Sequence, residues 1–130
     1  MLSGLGLLVS LDFYKSYVFN SERDTIVSML QKARSQSLAN VCLGAACANG
    51  EAHGLHIDAN NYVIFQGSSY NAADPLNQSV PVYPGITNNG PTNIIFSQLS
   101  GNSSYSGQIK LSYGYRNAII SLNDEGQINW

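Results

Sequence analysis

Residues 24–41 read DTIVSMLQKARSQSLANV. Apolar or small side chains fall at Ile26, Val27, Leu30, Ala33, Ser37, Leu38 and Val41. That is the i, i+3, i+4, i+7 spacing of one helical stripe. Asp24, Ser28, Gln31, Lys32 and Ser35 fall on the other side. Lys32 and Arg34 lie in the last turns, where cations suit the helix dipole. Arg34 stands at the edge of the stripe, so its stem can pack while its head reaches water. The pattern predicts an amphipathic helix ending near Asn40.

Upstream, no Gly or Pro interrupts residues 13–41, so the helix is expected to extend back towards the N-terminus. A continuous helix from Leu2 to Asn40 would be ~58 Å long at 1.5 Å per residue. A domain of this size is only about 30 Å across, so such a rod needs a partner. The eleven residues MLSGLGLLVSL are apolar or small and stop at Asp12. They are too few for a membrane span, which needs roughly 20. No Lys or Arg precedes them and no small-x-small cleavage site follows, so they make a poor signal peptide.

The chain has 130 residues, enough for one domain with a real core. Charged residues are 11%, with Lys+Arg 6 and Asp+Glu 8. A basic field able to hold a phosphate backbone is therefore missing, and nucleic acid is disfavoured as a partner. Cys42 and Cys47 sit in NVCLGAACANG. The pair reads as a small disulfide loop in an oxidising compartment, with two free thiols as the competing reading. Spacing alone leaves both open. Zinc would want four donors, and the separation is too long for a C-x-x-C redox motif.

Downstream of the cysteines the sequence reads as strands and turns. HGLHI and YVIFQG flank DANN and form a hairpin signal. Residues 68–92 are rich in Asn, Gly, Ser and Pro and read as a long loop with one short edge strand near residues 80–83. NIIFSQL reads as a buried strand; SGQIKLSY and AIISLN alternate around a GYRN turn, and DEGQ turns into INW. The fold class is α+β: one long N-terminal helix over residues 1–41, then a mainly antiparallel β-sheet head over residues 42–130.

This order, with RDTIVSMLQKARSQSLAN, AHGLHIDANNYVIFQG and the SGQIKLSY…AIISLNDEGQIN pair, resembles the type IV pilin superfamily. It is most similar to the minor H-type pseudopilins of type II secretion systems, along the whole chain. The resemblance implies a pilin-like head on a long helix and a structural role in a filament. It implies that Leu2, Leu5, Leu8, Val9 and Leu11 belong to the membrane and assembly face of the helix. Ile26, Val27, Leu30, Ala33 and Leu38 would pack the helix on the sheet. It also implies a residence in the bacterial envelope, first in the inner membrane and then in a periplasmic or surface filament. The partners would be other pilin or pseudopilin subunits and an inner-membrane assembly platform. Prepilins of this kind carry a leader ending in Gly and an acidic residue early in the hydrophobic run; MLSGLGLLVSL matches the second half of such a run. Met1 is thus expected to lie inside the hydrophobic segment. In the competing arrangement Met1 is the mature N-terminus and Leu5 stands where the family places its acid.

Other signals read as structure. His53 and His56 are three apart and point to opposite faces of a strand. His56 and Asp58 share a face but are too few for a metal site. Asp58 with Asn60 and Asn61, and Asp124 with Glu125, fit turn chemistry, and their spacing is not an EF-hand loop. The sequons at Asn77 and Asn102 read as polar loop residues. The sequence shows no G-x-S-x-G, H-E-x-x-H or Gly-rich phosphate loop, so neither catalysis nor a cofactor or metal is expected. A different class of protein also fits, a secreted β-sandwich binding or adhesion module with its N-terminal helix docked on its own sheet.

Overall fold

The computed structural model describes residues 2–44, 47 and 49–130, with side chains from residue 13 onward. Helix α1 spans Leu2–Leu38, 37 residues and so about 55 Å. Eight strands follow: β1 His53–Ile57, β2 Asn61–Gln66, β3 Gln78–Pro81, β4 Thr87–Asn89, β5 Asn93–Phe96, β6 Gly107–Tyr113, β7 Arg116–Leu122 and β8 Ile128–Asn129. The architecture is α+β, with every pairing antiparallel.

The strands form two four-stranded sheets rather than one, in the orders β3-β2-β1-β5 and β4-β6-β7-β8. The hairpin expected around DANN is β1–β2, with His53 opposite Gln66 and Ile57 opposite Tyr62. Asp58 makes its turn, accepting the backbone N–H of Asn60 at 2.7 Å and of Asn61 at 2.6 Å through Oδ1. β3 begins and ends two residues earlier than the 80–83 reading. β4 lies inside the segment read as loop; its TNN sequence carries no apolar alternation, and it is held by backbone pairing with β6. The two sheets join through residues 103–104, where Ser103 bridges Phe96 and the Ser104 N–H donates to the Ile95 carbonyl. That segment covers the edge of β5 and leads into β6.

Both sheets turn their apolar faces to α1. Leu55, Ile57, Tyr62, Ile64, Ile94 and Phe96 come from the first, and Ile109, Leu111, Ile120 and Leu122 from the second. The helix contributes Val18, Phe19, Ile26, Val27, Met29, Leu30 and Ala33. Each large aliphatic buried there stabilises by about 1.5–3 kcal/mol. Ile26, Val27, Leu30 and Ala33 are buried as the stripe requires. Leu38 is not: it is 38% exposed. The helix ends at this residue, and the chain turns away through Asn40 at φ 54°. The stripe's final buried position is instead Ser37.

A smaller cluster forms on the outer face of the first sheet. Val63 and Phe65 are buried there, and Tyr70 from the loop after β2 meets the Phe65 ring edge-on. The Phe65 ring lies across Gly54, where an added Cβ would come within 2.6 Å of both Phe65 Cζ and the Ile94 carbonyl oxygen. Only glycine fits beneath that ring.

Candidate functional site

Extending the helical stripe back four residues from Ile26 lands on a carboxylate. Glu22 is buried in the interface between α1 and the sheets. Its Oε2 accepts the Tyr83 backbone N–H at 2.8 Å and the Tyr62 hydroxyl at 3.4 Å. Burial, and then the charge and hydrogen bond of Glu22, push the Tyr62 phenol well above its ordinary value. A buried carboxylate accepting two donors is a positional lock: it fixes which turn of α1 meets β2 and the loop after β3.

A second lock sits one residue before the helix end. The Ser37 hydroxyl accepts the His53 backbone N–H at 2.9 Å and donates to the Phe96 carbonyl at 3.0 Å. His53 is buried, and its Nε2 donates to the Val41 carbonyl at 2.9 Å. The first strand thereby ties down the chain just after the helix. The cysteines follow at once. Cys42 and Cys47 are joined by a disulfide, with Cα atoms 5.7 Å apart. Gln66 clasps this loop, accepting the Leu43 N–H at 2.7 Å and donating to its carbonyl at 3.1 Å.

His56 faces the opposite side of β1 from His53. Its Nδ1 lies 2.8 Å from Asn93 Oδ1 and its Nε2 lies 3.4 Å from Asp58 Oδ2. The ring stacks on Tyr70 at 3.8 Å between centroids. Burial acts to raise the Asp58 pKa, but the N–H groups of Asn60 and Asn61, then His56, bring it below the usual carboxylate range. This trio closes a turn and seats the Tyr70 loop. No group of three or more His, Cys, Asp or Glu able to hold a metal ion occurs among the described residues.

The remaining candidate surface is the N-terminal part of α1. Of the helical side chains described, burial begins at Val18. Before it, Phe13, Tyr14 and Tyr17 are 73%, 55% and 66% exposed. The side chains of Leu2, Leu5, Leu8, Val9 and Leu11, named from the sequence as an assembly and membrane face, lie outside the described residues. No helix among the described residues is long and apolar enough to cross a membrane.

Sequence reasoning missed Glu22 and its Tyr83 partner. The first had a signal, a charge standing at a stripe position; the second is a backbone amide far along the chain and had none. No protein-family model, curated protein or solved structure matches this chain.

Proposed function

We propose that the chain is a structural subunit of a type IV pilus or type II secretion pseudopilus, assembling through its N-terminal helix. The observation that carries this reading is the division of α1. From Val18 to Ser37 the helix is clamped by both sheets, while Phe13, Tyr14 and Tyr17 are left in solvent on the same rod. A helix that served only to complete the head's core would end where the core ends. One that also joins neighbouring subunits carries apolar and aromatic residues past it. One helix beside two antiparallel sheets is compatible with a pilin-like layout. The Cys42–Cys47 disulfide points to an oxidising, extracytoplasmic setting. The partners are then sibling subunits and an inner-membrane platform, and the role is non-enzymatic.

The test is the mature N-terminus of the native protein, by intact mass and N-terminal sequencing of the envelope fraction. About a dozen further apolar residues, opening on an N-methylated residue, would support the reading. A chain beginning at Met1 and found free in the medium would sink it.

Two antiparallel sheets also suit the competing reading of a secreted β-sandwich module with a docked helix, although here both turn their apolar faces to α1. Deleting residues 1–12 separates them. A self-contained module loses several kcal/mol of stability; a filament subunit's head keeps its melting curve and gains solubility.

A further inference from the structure

Where α1 leaves the sheets its exposed surface becomes aromatic. At 3.6 residues per turn, Phe13 and Tyr17 fall on one side of the helix and Tyr14 about a quarter-turn away. The head extends the ring. The Tyr83 phenol lies close enough to that of Tyr14 for the two to interact. On another side Arg116 Nε donates to Ser16 Oγ at 3.2 Å. The Arg116 guanidinium lies 4.8 Å from the centroid of the Tyr115 ring, which is 78% exposed.

Tyrosine has an apolar body and a polar tip, and such rings concentrate at the boundary between water and lipid headgroups. Two further features of the chain bear on what covers them. Residues 2–11 continue the same helix and carry no charge. Their ten residues span about 15 Å, the depth of one leaflet of a ~30 Å hydrocarbon core. Charge is also distributed unevenly. Lys15 and Arg116 stand at the aromatic end, with Asp12 near them in the chain, whereas at the far end of α1 the four acids Glu51, Asp74, Asp124 and Glu125 outnumber the two cations Lys32 and Arg34. There the Glu125 carbonyl accepts Arg34, Asp74 caps Leu76, and Leu76 packs on Gly44 beside the disulfide loop. This polarity turns the acidic end away from an anionic surface and the cationic end towards it.

We propose that Phe13, Tyr14 and Tyr17, completed by Tyr83 and Tyr115, form a collar that seats the head at the headgroup level of an anionic bilayer, with residues 2–11 running into the acyl region. This rests on the reading of α1 as an assembly helix that starts in a membrane. It adds where on the helix the interface falls and which lipid charge it prefers.

The chain has a single tryptophan, Trp130, so a fluorescent reporter can be moved. In the full chain, Trp130→Phe is combined with Tyr17→Trp, or with Leu99→Trp as a control. Leu99 is 67% exposed and donates its N–H to the Ser37 carbonyl, at the far end of α1. Each protein is mixed with phosphatidylethanolamine–phosphatidylglycerol vesicles holding phospholipids brominated near the headgroup. The expected result is a blue shift and roughly twofold or greater quenching at position 17, with neither at position 99. Phe13→Ser with Tyr14→Ser should weaken vesicle partitioning by roughly tenfold. Pure phosphatidylcholine vesicles should bind the parent chain more weakly.

Flotation with an unquenched reporter at position 17 would overturn the collar while leaving the filament reading intact. Failure to float would overturn it as well, as would equal binding to phosphatidylcholine. A position-17 emission already blue-shifted without lipid, and dependent on protein concentration, would assign the surface to a second copy and overturn the lipid assignment. The N-terminal mass of the native protein tests the filament reading independently of all of these.

Discussion

The Tyr62 hydroxyl meets the Glu22 carboxylate inside the core, 3.4 Å away, with the Tyr83 amide on the same oxygen at 2.8 Å. The phenol is held above its ordinary value near ~10. A group whose folded pKa is raised contributes fully below its unfolded value and loses that contribution as pH rises. Stability should therefore hold to about pH 10 and fall above it as the unfolded chain gives up the proton more readily. Tyr62→Phe should flatten this alkaline limb, as read by urea midpoints across pH 8–11. An unchanged limb would remove Tyr62 from the account.

Replacing the carboxylate separates shape from bonding. Glu22→Ala leaves the Tyr83 N–H and the Tyr62 hydroxyl without their acceptor and should cost about 2–4 kcal/mol. Glu22→Gln keeps an acceptor oxygen and should cost about half as much. Equal losses in the two variants would mean that packing, not hydrogen bonding, holds this position.

Ser37 offers a sharper case because so small a side chain is tied to two strands. Ser37→Ala should cost about 1–3 kcal/mol by orphaning the His53 amide and the Phe96 carbonyl. Amide hydrogen exchange at His53 should speed up by the same free energy. A destabilised variant with His53 exchange unchanged would refute the assignment.

The Cys42–Cys47 bridge closes only a short loop, so its effect on the unfolded chain is modest, about 2 kcal/mol. Urea titrations with and without a thiol reductant should differ by that amount. A Cys42→Ala/Cys47→Ala variant should be indifferent to reductant; sensitivity remaining there would place the effect elsewhere.

Gly54→Ala should cost about 1–3 kcal/mol by driving a methyl into Phe65 and the Ile94 carbonyl. Phe65→Leu in the same chain should recover part of the loss, and a double-mutant cycle measures the coupling. Purely additive losses would show that the backbone contact dominates.

The helix was legible because its stripe repeats locally, and Ile26, Leu30 and Ala33 are each 0% exposed. The first hairpin was legible for the same reason: Asp58 and its neighbours specify the turn, and Tyr62 to Phe65 supply the strand. What was hidden is nonlocal. Thr87–Asn89 becomes a strand only because β6 offers a backbone to pair with, which no property of those three residues announces. The division into two sheets depends on which strands meet, so it too lies beyond pattern reading. The Glu22 lock joins residues 40 and 61 positions apart, and half of it is a backbone amide. Leu38 misled because the period continued one step past the point where the backbone turns away.

The grip on α1 has a mechanical meaning. Between Val18 and Ser37 the helix is held by contacts laid out along its own axis, with polar locks at Glu22 and Ser37. Tension applied from the N-terminal side loads these contacts in shear, so they resist together and must give way together. A sideways pull would instead unzip them one after another. The head is thus built to stay on its rod under axial load.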